Sequence, residues 1–146
     1  MLPLRPGAVA KITAGDSDER TRELTIGKDK SGKGRRIVLP EQAAIHFATQ
    51  AASKPPVTLL FTRAGGEQWN SSIWNDPIAA ASAALNLPAG VTAYTLRHST
   101  ITDLVAGGLP LLAVAQVSDT SAEMIEQHYG HLGRGLVTEA LEGLAL

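Results

Sequence analysis

Residues 24–39, LTIGKDKSGKGRRIVL, decide the architecture. Two short β-prone runs, 24–26 and 35–39, flank a tract of lysines and glycines at 27–34. Apolar, β-branched runs separated by a glycine-containing tract form a β-hairpin, here with a long basic tip. Upstream, residues 5–12 read as a helical turn leading into a strand near 11–13, and GDSDER from Gly15 reads as a turn. Downstream, the chain reads almost entirely as helix. The order of a small antiparallel sheet followed by a run of helices defines an α+β fold, mainly helical with a small antiparallel β-sheet.

The helices are marked by their punctuation. Pro40 stands at the first helical position with Glu41 behind it, and Ile45, Ala48 and Ala52 space an inward face before Pro55-Pro56 ends the helix. Residues 57–61 are a short apolar run, read as extended, and Gly65-Gly66 turns the chain. Asn70 or Ser71 is placed to cap a helix holding Trp74, Ala80, Ala81 and Ala84. Thr95 is placed to cap the next, which Gly107-Gly108 stops. Pro110 opens a helix to Val117 whose Leu111, Leu112, Val114 and Val117 read as core. Ser118 or Thr120 caps one reaching about His131, and a last amphipathic helix is expected over 136–144.

Composition limits the function classes. At 146 residues the chain reads as a single domain, and 44% hydrophobic residues suffice for a core. Cysteine is absent, which excludes disulfides and thiolate metal sites and suits a reducing, cytoplasmic setting. Glycine and proline interrupt the longest uncharged runs, so no membrane span is expected. The net charge of −1 hides an asymmetry. Residues 1–63 hold 11 of the 13 Lys and Arg and 6 of the 14 Asp and Glu, net +5; residues 64–146 are net −6. Lys28, Lys30, Lys33, Arg35 and Arg36 crowd the hairpin as a patch suited to phosphate, although a solvated loop has the same composition.

Two kinds of site fail on context. His128 and His131 lie at i, i+3, but a metal needs a further ligand from elsewhere. GKDKSGKG is followed by a strand, whereas a phosphate-cradling P-loop is followed by a helix. What remains suits displacement at a phosphodiester, which needs guanidinium forks for the non-bridging oxygens, a nucleophile, and an acid for the leaving oxygen. Arg5 in LRPG, Lys30 in the hairpin, Arg97 in AYTLRHS and Tyr129 in MIEQHYGHL supply these in order along the chain. Each also has a structural reading: Arg5 as a surface arginine, Arg97 paired with Asp103 or Glu126, Tyr129 half-buried with its hydroxyl in water.

In that order and spacing the four resemble the catalytic domain of the tyrosine recombinases, the phage-integrase family. The resemblance runs from about Leu4 to His131. It implies that Arg5 and Arg97 clamp the scissile phosphate, that Lys30 (with Lys28 and Lys33 as rivals) protonates the leaving oxygen, and that Tyr129 is the nucleophile. Tyr94 stands at the histidine of the family's H-x-x-R motif, Asp119 at the second histidine, and Ala8 where LRPGE carries glutamate. The implied partner is double-stranded DNA, contacted also by Lys28, Lys33, Arg35, Arg36 and His98, and the implied chemistry needs no metal and no cofactor. The resemblance further implies a C-terminal fragment lacking the family's N-terminal DNA-binding domain. It also implies self-association through the apolar face of Leu136, Leu141 and Leu144. Asp119 is expected to cap the Tyr129 helix, or else to face the phosphate offset by Arg97 or His98. With two donors altered, the alternatives are a catalytically degenerate DNA-binding or protein-interaction module of the same fold, and a structural α+β domain with no nucleic-acid role.

Overall fold

The structure, a computed structural model, describes residues 2–27, 34–133 and 141–143. Lys28, Lys30 and Lys33, and most of the expected helix over 136–144, lie outside the described residues. The chain divides into two compact units, Pro6–Gly90 and Met1–Arg5 with Val91–Leu146.

In the unit Pro6–Gly90, α1 (Pro6–Val9) leads through a 3-10 turn (Ala14–Asp16) into a three-stranded antiparallel sheet of order β1 (Ser17–Asp18), β2 (Glu23–Ile26), β3 (Arg35–Val38). Residues 17–18, expected in a turn, pair with Leu24 and Glu23, and the reversal falls on 19–22 with Arg22 at φ 55. Along β2 the side chains alternate, sending Leu24 and Ile26 inward, and Ile37 of β3 stands opposite Leu24. The expected strand near 11–13 is only the bridge Thr13 to Leu59, and the run 57–61 contributes that bridge rather than a strand. Gly15 is required by close approach: its N–H donates to the Pro56 carbonyl at 2.8 Å, and a Cβ there would stand 2.9 Å from Pro56 Cβ.

Pro40 is the N-cap of α2 (Glu41–Ala51), one residue earlier in role than expected. The inward face of α2 is Ala44 and Phe47; Ala48 is half-buried, while Ile45 and Ala52 are exposed. The correction has a physical reason, since the Phe47 ring packs edge-on to Phe61 at 5.2 Å and this larger contact sets the helix rotation. α3 (Asn75–Ala84) begins at Trp74; Asn70 instead accepts the Ser72 N–H in the preceding turn.

In the other unit, Thr92 caps α4 (Ala93–Ala106), and Thr95, expected as the cap, is its partner in a capping box. Gly107 ends the helix and Gly108 takes φ 81, a conformation that favours glycine. Pro110 caps α5 (Leu111–Ser118), which turns through Asp119 to α6 (Ala122–Tyr129) and a 3-10 turn, Gly130–Gly133. Ile101 and Val105 of α4, Val114 and Ala115 of α5, and Ile125 of α6 form the core, with Tyr129 packed against it. Leu112, expected inside, is 63% exposed. No helix among the described residues is long and apolar enough to cross a membrane.

Candidate active site

The site is built around the C-terminus of α5. The last carbonyls of any helix lack intrahelical partners and sit at the negative end of the helix dipole, so they attract cations. Here two arginines take successive carbonyls. Arg97, one turn before Ile101 on the inward face of α4, is only 8% exposed and donates from Nη2 to the Ser118 carbonyl and from Nη1 to the Pro3 carbonyl. Burying a guanidinium is costly unless it is hydrogen-bonded, and these carbonyls provide that. Arg5 donates from Nη2 to the Asp119 carbonyl at 2.9 Å.

Asp119 is the C-cap of α5 in the left-handed conformation (φ 57, ψ 54), which aspartate tolerates better than most residues. Its carboxylate lies 3.8 Å from Arg5 Nε. The expectation that Asp119 caps the Tyr129 helix is therefore corrected. Ser121 caps α6, its Oγ accepting the Met124 N–H at 3.1 Å, and the carboxylate is offset by Arg5. The physical reason is the loop between α5 and α6: residue 119 completes the first helix, and the chain needs Thr120 and Ser121 to enter the second.

Tyr129 is the last residue of α6 and is half-buried. Its hydroxyl shares a hydrogen bond with His98 Nδ1, and the two rings lie 6.1 Å apart at 27°. Burial pushes the Tyr129 phenol above its ordinary value, and the nearby Arg97 guanidinium draws it part of the way back. The His128 ring stands edge-on to Tyr129 at 6.4 Å.

Arg5, Arg97, Asp119, His98 and Tyr129 thus belong to one constellation held by α4, α5 and α6. Tyr94 is 52% exposed in the first turn of α4. Arg35 and Arg36 lie on β3, where Arg36 Nη1 stands 3.9 Å from Glu23 Oε2. The Ser118 carbonyl and the His98–Tyr129 bond had no signal in the sequence: a carbonyl leaves none, and the two rings are 31 residues apart.

The chain is thus mainly helical with a small antiparallel sheet. The profile of the phage integrase family matches residues 3–134, and the chain belongs to that family. Solved structures share the fold. An integrase of transposon Tn1549 (residues 82–397, R225K) in complex with a circular intermediate DNA is 19% identical at a TM-score of 0.80, over 99% of this chain and 55% of that one. The XerA recombinase is 16% identical at 0.75, over 99% and 54%. The XerH site-specific recombinase, bound to a palindromic difH substrate, is 19% identical at 0.71, over 96% and 42%. The chain spans about half the length of these structures. No curated protein sequence matches it.

Proposed function

We propose that residues 1–146 are the catalytic domain of a site-specific DNA recombinase that cuts and rejoins double-stranded DNA through a 3′-phosphotyrosyl intermediate. The observation that carries this reading is the pair of arginines gathered at the end of α5, with a half-buried tyrosine within the field of one of them. A phosphodiester held there meets two guanidinium forks, which stabilise the charge that grows on its non-bridging oxygens during displacement. The Tyr129 oxygen attacks phosphorus and the 5′-oxygen leaves; Lys30 gives it a proton, with Lys28 and Lys33 as alternatives in the same tip. The net +5 of residues 1–63 supports a polyanionic partner. Protomers associate on DNA through the segment of Leu136, Leu141 and Leu144, of which Leu141 is exposed.

The Arg5–Asp119 contact favours a second reading, in which the fold is kept for DNA binding while cleavage is slow or lost. The test is capture of covalent protein–DNA adduct on a pool of nicked duplexes of randomised sequence, compared with Tyr129→Phe. Adduct formed by the wild type and abolished in the variant supports the recombinase. Salt-sensitive binding without adduct supports the degenerate module, and neither overturns both.

A further inference from the structure

We propose that the His98 imidazole takes the phenolic proton of Tyr129 as that oxygen attacks phosphorus. The inference rests on the recombinase reading and adds to it a base acting on the nucleophile.

The geometry comes from consecutive residues of α4. Successive side chains on a helix point about 100° apart. Arg97 therefore turns inward to the Ser118 carbonyl while the exposed His98 meets Tyr129, with its Nδ1 on the phenolic oxygen and its ring nearly parallel to the tyrosine ring. A phenol near its ordinary value of about 10 is ionised to roughly one part in a thousand at pH 7, so as a nucleophile it needs a proton acceptor. Burial at Tyr129 increases that need. An imidazole is neutral and basic at the same pH, which suits it to the task. Among the described residues, the Arg97 guanidinium acts on the phenol, the His128 ring stands beside Tyr129, and His131 lies on the 3-10 turn packed against α4. Nδ1 of His98 is the atom that stands on the phenolic oxygen, so with the proton on Nε2 it is placed to accept.

The step balances as follows. Neutral His98 carries its proton on Nε2 and a lone pair on Nδ1. As the bond from the Tyr129 oxygen to phosphorus forms, the phenolic proton passes to Nδ1 and His98 becomes imidazolium. The bond from phosphorus to the 5′-oxygen breaks, and that oxygen leaves with the proton that the proposed function assigns to Lys30. Rejoining reverses each transfer: the 5′-hydroxyl attacks, and the departing phenolate recovers its proton from His98.

The first arm of the test needs no DNA. Long-range proton–nitrogen correlations on the labelled chain at pH 7.5 assign the His98 tautomer. The expected result is a proton on Nε2; a proton on Nδ1 makes His98 the donor and overturns the inference. The second arm measures single-turnover adduct formation on the randomised nicked pool, with the ordinary 5′-oxygen and with a 5′-bridging sulfur, which leaves without needing an acid. His98→Asn places an acceptor near the position of Nδ1 but cannot hold the proton. We expect it to be slowed roughly 100-fold or more with both leaving groups. A wild-type rate in His98→Asn reduces His98 to an orienting group, and rescue by sulfur moves it to the leaving-group side; either overturns the proposal. A wild type that forms no adduct strikes the recombinase reading, whereas the tautomer decides this one.

Discussion

Arg5 is held by Asp119 twice: its Nη2 donates to the Asp119 carbonyl at 2.9 Å, and its Nε lies 3.8 Å from the Asp119 carboxylate. The two contacts do different things. The backbone bond does not use the side chain at 119 and sets where the guanidinium sits. The carboxylate neutralises part of the charge that a phosphate would use. Both side chains are 53% exposed, so the ion pair itself contributes only about 0–1 kcal/mol.

Replacing the carboxylate is therefore expected to change ligand binding more than stability. In Asp119→Asn, DNA affinity rises, and the slope of log affinity against log salt steepens by about 0.9, as expected for one additional phosphate contact. Asp119→His adds a donor and is expected to raise adduct yield further. Salt titrations by fluorescence anisotropy on random duplex DNA check the first expectation, and adduct capture the second. An unchanged slope in Asp119→Asn means that the carboxylate does not compete with phosphate for Arg5.

Arg97 has a structural role that complicates any activity assay. It is buried and satisfies the carbonyls of Pro3 and Ser118, tying the chain start to α5. Hydrogen bonds to charged groups contribute about 1.5–3 kcal/mol each, and losing them strands buried carbonyls. Arg97→Ala is expected to cost about 3 kcal/mol or more in denaturant unfolding. Arg97→Lys keeps the charge but lacks the planar fork, and should fall between the two. A fully stable Arg97→Ala would contradict this account of the arginine.

Much of this was legible in the sequence. Pro40, Pro110 and the Gly107-Gly108 pair mark helix ends in the sequence, because proline and glycine act through local backbone geometry. The hairpin strands followed from β-branched runs flanking a glycine tract. Helix rotation was read less well: Ile45 and Leu112 look like core by hydrophobicity, yet aromatic packing in α2 and the Val114, Ala115 and Ser118 face in α5 decide otherwise. The caps fall at Thr92 and Ser121, within three residues of Thr95, Ser118 and Thr120, because serines and threonines cluster at both starts and pattern alone does not choose among them. For the candidate site, residue type and order single out the arginines and the tyrosine as candidates. Their partners do not, because backbone carbonyls carry no sequence signal and the Arg5–Asp119 contact spans 114 residues.

Ser118 offers a separate test of the same turn. Its side chain is fully buried, and its Oγ has no hydrogen-bond partner among the described residues. Thr100, also buried, returns its hydroxyl to the Leu96 carbonyl at 2.9 Å, so the neighbouring helix avoids this cost. Removing an unsatisfied buried hydroxyl relieves desolvation worth about 1–3 kcal/mol, while the Ser118 carbonyl that accepts from Arg97 is untouched. Ser118→Ala is thus expected to stabilise the chain by about 1 kcal/mol, seen as a rise in Tm, with DNA binding unaltered. A loss of stability would reveal a partner for the hydroxyl.

The last prediction concerns alkaline pH. Burial raises the Tyr129 phenol above its unfolded value, with Arg97 opposing. A group whose folded value is raised contributes stability that is full below the unfolded value, about 10 for tyrosine, and is lost as pH rises through the folded value. The folded chain should therefore weaken above about pH 10 as a phenolate is forced into a half-buried position. Tyr129→Phe cannot form that phenolate, so its stability should decline less steeply over the same range, whatever it loses at neutral pH with the His98 bond. Denaturant unfolding at successive pH values gives both slopes, and ultraviolet difference titration of wild type against Tyr129→Phe isolates the Tyr129 ionisation. Removing the opposing charge in Arg97→Gln should move that ionisation higher still. An ionisation below that of an ordinary tyrosine would mean that the guanidinium outweighs burial, leaving a phenol that needs less help from His98.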